Sequence, residues 1–146
     1  MTSTGLAVFD KTLQATNYWL RLMMLELETD DRQLAFNALR GALHAVRDRI
    51  GPENAVHLGA QMPMLLRGAY YEGWRPAGTS TPERLLDDFL HHVADEIPCA
   101  GEICPGEAAR ASFAVMAQCL GPGESDKLQH LLPHEILHLW PRELVH

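Results

Sequence analysis

Apolar residues near the start of the chain recur at spacings that alternate between four and three positions. This spacing places side chains on one face of an α-helix, which repeats every 3.6 residues. The pattern therefore predicts one long helix with a buried face. The positions on that face are Phe9, Leu13, Thr16, Leu20, Met23 and Leu27.

A second helical pattern follows Asp30 and Asp31, whose charges suit the positive end of a helix dipole. It stops at Gly51, a residue type that favours the position just after a helix. Pro52 and Pro63 each suit the start of a short helix, where the missing N–H would have no partner in any case. The apolar stripe of the second helix consists of Ala35, Leu39, Ala42, Val46 and Ile50.

The chain resembles itself at an offset of 70 residues, without a gap. A fixed period of this kind indicates a repeated structural unit. No segment of useful length alternates apolar and polar residues as a strand does. We therefore predict an all-α fold of two tandem four-helix units (long-long-short-short), which share one core because each is too small to be stable alone. Identical residues at this offset include Gly51 and Gly121, Pro52 and Pro122, Leu58 and Leu128, and Pro63 and Pro133.

The same offset predicts the domain organisation. Thr81 and Pro82 are expected to cap and begin the first helix of the second unit, and a loop is expected over residues 98–105. The turn-forming segment GWRPAGTSTP marks the junction between the units. We expect a single domain over residues 1–146, with unit one at about 6–73, a linker at about 73–82 and unit two at about 82–141.

The charge of the chain limits which kinds of partner it is expected to bind. Twelve basic and nineteen acidic residues give a net charge of -7, which argues against nonspecific nucleic-acid binding. No window approaches the ~20 apolar residues that a membrane helix needs, and the N-terminus does not resemble a secretory signal. The cysteines, Cys99, Cys104 and Cys119, are few and odd in number. We therefore expect a cytoplasmic protein with reduced thiols and with no nucleic-acid or membrane partner.

Two segments resemble a known family. They are LRGALHAVRDRIGPENAVHLGAQMPMLLRGAYYEGWRP, at residues 39–76, and LLPHEILHLWP, at residues 131–141. With these segments the chain resembles the domain of unknown function 2267 family of small prokaryotic proteins. The resemblance implies a bacterial origin and a helical fold. Because the family has no established activity, the resemblance implies no catalytic residues.

The string His134-Glu135-Ile136-Leu137-His138 has the HExxH spacing of zinc hydrolases. On a helix the two histidines would face one side and share a zinc ion, and Glu135 would be the general base. Pro133 and Pro141 leave this helix only about two turns, however, and a third ligand would have to come from His92, Glu96 or Cys104 upstream. We favour a short helix with its histidines in solvent, and we predict no metal and no other cofactor.

Cys99 and Cys104, with the neighbouring His91, His92 and Glu96, are also candidates for a zinc or redox site. The cysteine spacing is not that of a tight CxxC pair, and no second pair completes a tetrahedral site. The favoured interpretation is a loop with reduced thiols. Cys119 precedes an apolar position and is expected to pack.

Comparison of the two units singles out arginine and aromatic residues in the first. The second unit carries mostly other residue types at the matching positions. Arginine, tyrosine and tryptophan dominate interaction hot spots, although aromatic residues near a junction also pack and surface arginines also form ion pairs. The Arg/Tyr/Trp patch consists of Arg47, Arg49, Arg67, Tyr70, Tyr71, Trp74 and Arg75.

The sequence favours a non-enzymatic interaction module that uses this patch to bind a protein partner or another copy of itself, as in a dimer. A metal-dependent hydrolase using His134, Glu135 and His138 is the second hypothesis. The third is an anion- or nucleotide-binding protein that uses Arg47, Arg67 and Arg75 with the helix N-termini at Pro52 and Pro63.

Overall fold

The computed structural model describes residues 3–77, 86–97 and 102–142. These residues form eight α-helices and no strand, which confirms the predicted all-α class. The helices are α1 (Ala7–Leu27), α2 (Arg32–Ile50), α3 (Pro52–Gly59), α4 (Met64–Tyr71), α5 (Leu86–Glu96), α6 (Pro105–Cys119), α7 (Pro122–Leu131) and α8 (His134–Leu137).

Helix α1 buries only part of the face that its apolar spacing predicts. Thr16, Leu20 and Met23 are buried against the rest of the molecule. Phe9, one end of the same stripe, is 50% exposed, and the prediction that it is buried is wrong. The helical spacing is correct, but no described segment covers Phe9 in the first turn of the helix.

A single residue determines each end of α2. The carboxylate of Asp31 accepts a hydrogen bond from the Leu34 N–H at 3.0 Å and so caps the start of the helix. At the other end Gly51 has φ 87° and ψ 159°, a conformation that is essentially restricted to glycine. This residue lets α3 begin at once after α2, at Pro52.

Prolines also mark the other short helices. Helices α6 and α7 begin at Pro105 and Pro122, while α4 and α8 each follow a proline directly. Helix α8 is a single turn of four residues, shorter than the two turns that the sequence predicts. The expected helix start at Thr81 and Pro82 and the loop residues 98–101 lie outside the described residues.

Helix α2 is the centre of the molecule. It packs against α1, α3, α4, α5 and α6, and residues 41–48 are buried without interruption. Gly41 makes one of these contacts possible, because a Cβ there would lie 2.4 Å from Cγ1 of Ile97. The core is one cluster of apolar side chains drawn from α1 to α8.

Helices from the two halves of the chain pack against each other. α1 and α2, from the first half, contact α6 and α5, from the second. The first residues of α3 and α7, and those of α4 and α8, are each 70 positions apart. That the halves superpose as a repeat remains a prediction. None of the described helices combines the length and the apolar character needed to cross a lipid bilayer.

Candidate functional site

The HExxH string lies on the surface. His134, Glu135 and His138 are all exposed, and His138 comes after the last residue of α8. The two imidazole rings contact each other edge to face, with centroids 5.0 Å apart. Within the described part of the chain, no third ligand joins them in a group suited to a metal ion. Two ligands on one exposed turn are fewer than a catalytic zinc ion uses.

Arg47, in the predicted Arg/Tyr/Trp patch, lies in the interior and is only 3% exposed. Its Nη1 donates to the backbone carbonyls of Tyr70 and Glu72, at 2.8 and 3.0 Å, and its Nε donates to Asp48 Oδ1 at 2.9 Å. The two carbonyls come from the C-terminal end of α4, where helix carbonyls lack partners within the helix. Arg47 therefore caps α4 and is not available to a partner at the surface.

Tyr70 and Arg67 also serve the fold. Tyr70 is fully buried, and its hydroxyl donates to the Ala55 carbonyl at 2.8 Å, which joins α4 to α3. Burial raises the pKa of Tyr70. Arg67 donates to the backbone carbonyls of Gly59 and Met62, both at 2.9 Å, and so ties α4 to the end of α3.

The other residues of the patch reach the surface. Tyr71 and Trp74 are half-buried and stack with ring centroids 5.3 Å apart, while Arg75 is exposed and Arg49 is half-buried. That the patch is a binding surface remains a prediction, and it now concerns only these four residues. The hypothesis of an anion-binding site loses support, because Arg47 and Arg67 already donate hydrogen bonds to main-chain carbonyls.

A group of ionisable side chains that the sequence analysis did not assemble lies between α2 and α5. Asp48 is buried, and His92 Nε2 lies 3.1 Å from its Oδ2. Glu96 follows His92 by one helical turn, with Oε1 3.8 Å from His92 Nε2. His44 completes the group, with Nδ1 3.1 Å from Glu96 Oε2. We call these residues, together with Arg47, the ionic cluster.

The charges of the ionic cluster offset the cost of its burial. Burial raises the pKa of Asp48, but hydrogen bonds from His92 and Arg47 lower it more, so the pKa lies below its usual range. The cluster therefore holds a carboxylate that stays ionised inside a helical core.

The contacts of His44 place a hydrogen on one nitrogen of its ring. Nε2 lies 2.8 Å from the Ala69 carbonyl, and because a carbonyl only accepts, Nε2 must donate. Nδ1 then faces the Glu96 carboxyl, with Oε2 3.1 Å away. His44 is only 2% exposed, so its ring joins α4 to α5 through the interior.

Part of the ionic cluster is visible in the sequence. His92 and Glu96 are four residues apart on one helix, and both were candidates as ligands beside the cysteines. Asp48 is 44 residues from His92, and no local motif connects them.

The predictions for the cysteines can be compared with the structure at two of the three positions, because Cys99 lies outside the described residues. Cys104 is exposed. Burial raises the pKa of Cys119 to about 11, which suits a packed thiol.

A groove of about 800 Å³ opens on another side of the molecule, between α1, α2 and α4. Leu20, Phe36, Leu65 and Leu66 form its apolar wall, and Arg32 and Glu72 lie among its polar residues. Residues 65, 66, 68 and 69 of α4, and residue 72 just after it, line the groove. Arg67 and Tyr71, which bond to main-chain atoms of α3, lie outside this groove-facing set.

The fold and these sites define a small all-helical protein with a buried ionic cluster beside a central helix and an apolar groove at its surface. A family model described as "uncharacterized conserved protein (DUF2267)" matches residues 16–139, which is most of the chain. The protein belongs to this family, as its resemblance to the domain of unknown function 2267 family predicted. No curated protein matches the chain.

Proposed function

We propose that the protein is a non-enzymatic interaction module that self-associates through the exposed end of α1 and the start of α4. The observation that carries this proposal is the apolar stripe of α1, which is buried at Leu20 but 50% exposed at Phe9. A stripe that continues from a core into solvent is a surface suited to a protein partner.

The start of α4 extends this surface. The Leu65 N–H donates to Thr12 Oγ1 at 2.9 Å, which brings α4 to the middle of the exposed stripe. Met64 and Leu65 are 51% and 50% exposed. Leu65 also lines the groove, so apolar side chains lead from the helix surface into a concavity. We call Phe9, Leu13, Met64 and Leu65 the α1–α4 surface.

A second copy of the chain is the partner that fits this surface best. A two-fold dimer apposes the same patch on both copies, and one helix can pair with its own symmetry image. The groove beside the surface carries charges of both signs, as a self-complementary rim requires: Arg32, and Glu72 in its ion pair with Arg40. A few half-exposed side chains provide less area than the ~800 Å² per partner of a standard interface, so the dimer is weak and depends on concentration.

Sedimentation velocity over a wide concentration range tests the proposal. The unmodified protein should shift from monomer to dimer, and Phe9→Glu or Leu65→Glu should keep it monomeric because each places a charge in an apolar interface. Leu25→Glu is the matched control. Leu25 is 67% exposed on the same helix but near its other end, so this change should leave the dimer intact.

Two results would overturn the proposal. One is a monomer at every concentration. The other is a dimer that survives Phe9→Glu and Leu65→Glu but is lost in Arg75→Ala, which would place the interface on the Arg/Tyr/Trp patch instead.

A further inference from the structure

The ionic cluster turns three potential metal ligands toward one point between α2 and α5. One ligand atom each from Asp48, His92 and Glu96 lies within 4.8 Å of the other two. His92 Nε2 is 3.1 Å from Asp48 Oδ2 and 3.8 Å from Glu96 Oε1. Ligands bonded at ~2.0–2.2 Å to a tetrahedral ion lie roughly 3.3 Å apart, close to these separations. We propose that Asp48, His92 and Glu96 bind a divalent transition-metal ion such as zinc.

Each carboxylate of the site is held by a second partner through its other oxygen. Asp48 Oδ1 accepts from Arg47 Nε at 2.9 Å, while Oδ2 faces His92 and accepts a longer bond from Arg47 Nη2 at 3.4 Å. Glu96 Oε2 lies 3.1 Å from His44 Nδ1, which leaves Oε1 toward His92. His44 is itself fixed by the Ala69 carbonyl. Metal sites orient their carboxylates through outer partners of this kind.

The donor set selects the class of ion. One imidazole and two carboxylates suit zinc, manganese or ferrous iron, whereas calcium and magnesium prefer oxygen ligands alone and cuprous copper prefers thiolates. Three protein ligands leave a position for water or another small ligand. Glu96 has the most exposed side chain of the three, at 32%, and marks the side from which an ion enters.

The charges of the cluster limit the affinity. Arg47 already offsets one carboxylate, so the ion gains less than it would from two free carboxylates. In the loaded site His92 must present the lone pair of Nε2, and its ring proton then resides on Nδ1. We expect a dissociation constant on the order of micromolar, weaker than that of a structural zinc site.

Titration calorimetry with zinc chloride on tag-free protein tests the site. One ion should bind per chain, and zinc should raise the melting temperature. His92→Ala should weaken binding by about 100-fold or more, and Glu96→Gln, at the more exposed ligand, should weaken it while circular dichroism shows an unchanged fold. His91→Ala is the matched control, since His91 is exposed beside His92 and lies 3.0 Å from its own helix carbonyl at Asp87.

A double change, His134→Gln with His138→Gln, separates this site from the exposed histidine pair. Zinc binding should persist in that variant. Loss of binding there, with His92→Ala still binding normally, would overturn the proposal. So would the absence of zinc binding to the unmodified protein, which would leave the ionic cluster as a set of structural ion pairs.

Discussion

Arg47 Nη1 donates a hydrogen bond to the Tyr70 carbonyl oxygen, 2.8 Å away and 23 residues further along the chain. The acceptor is a main-chain atom, so an arginine of the type that often binds partners at surfaces here serves the backbone in the interior. The bond links the central helix α2 to the end of α4. Removal of the Arg47 side chain breaks this bond, and removal of the Tyr70 side chain breaks a separate one, from its hydroxyl to the Ala55 carbonyl. Either change should therefore alter stability before it alters any binding property.

Arg47→Met should destabilise the protein by about 3–5 kcal/mol, because it removes the positive charge beside the buried Asp48 and the donor to two main-chain carbonyls. Urea denaturation measures this change. The control Arg75→Met, at an exposed arginine, should alter the free energy of unfolding by no more than about 0.5 kcal/mol. Equal losses in the two variants would show that Arg47 does not hold α4.

Tyr70→Phe should cost roughly 0.5–1.5 kcal/mol, because the Ala55 carbonyl loses a buried hydrogen bond while the ring remains. Tyr71→Phe is the matched control on the next residue. The Tyr71 hydroxyl lies 3.4 Å from the Val56 carbonyl at an exposed position, so its loss should be close to neutral. Thermal denaturation of both variants shows which one loses more stability. A larger loss of stability in Tyr71→Phe than in Tyr70→Phe would contradict the prediction.

Gly51→Ala should destabilise the protein by about 1–3 kcal/mol, since φ 87° with ψ 159° is strained for any residue with a Cβ. Its counterpart Gly121 has φ -62° and ψ 156°, which alanine adopts freely. Gly121→Ala should therefore be tolerated. Chemical denaturation of the two variants tests whether identical residues at the 70-residue offset carry different backbone constraints.

The ionised Asp48 predicts the direction of one pH effect. The folded pKa of Asp48 lies below its unfolded value of about 3.9, so its contribution to stability is present above that value and is lost as the pH falls through the folded pKa. Asp48→Asn should make stability fall less steeply below about pH 4. Asp95→Asn, at an exposed position on α5, is the control. Urea denaturation across acidic pH measures the slopes, and identical slopes in the unmodified protein and Asp48→Asn would refute the assignment.

The helices could be predicted from the sequence because their signals are local. The apolar spacing of α1, the glycine that ends α2 and the prolines at or just before the starts of the short helices each act within a few residues. The burial of Arg47 could not be predicted in this way. Its partners are carbonyls on α4, and only the packing of α2 against α4 brings them within reach.

The ionic cluster and the α1–α4 surface show two further limits of prediction from the sequence. His92 and Glu96 are neighbours on one helix, but Asp48 joins them only through the contact between α2 and α5. The spacing of Phe9 correctly assigns it to the apolar face of α1. Spacing alone does not show whether another segment covers that face, and at Phe9 none of the described segments does.

The burial of residues 41–48 on every side also determines how the protein opens. A helix covered on one face can detach while the rest of the fold persists, but α2 contacts five other helices and cannot leave without separating them. The amide hydrogens of residues 41–48 should therefore exchange with solvent only when the whole chain unfolds, whereas those of the one-turn α8 exchange through local opening. The slowest exchange rates in α2 then report the global free energy of unfolding directly.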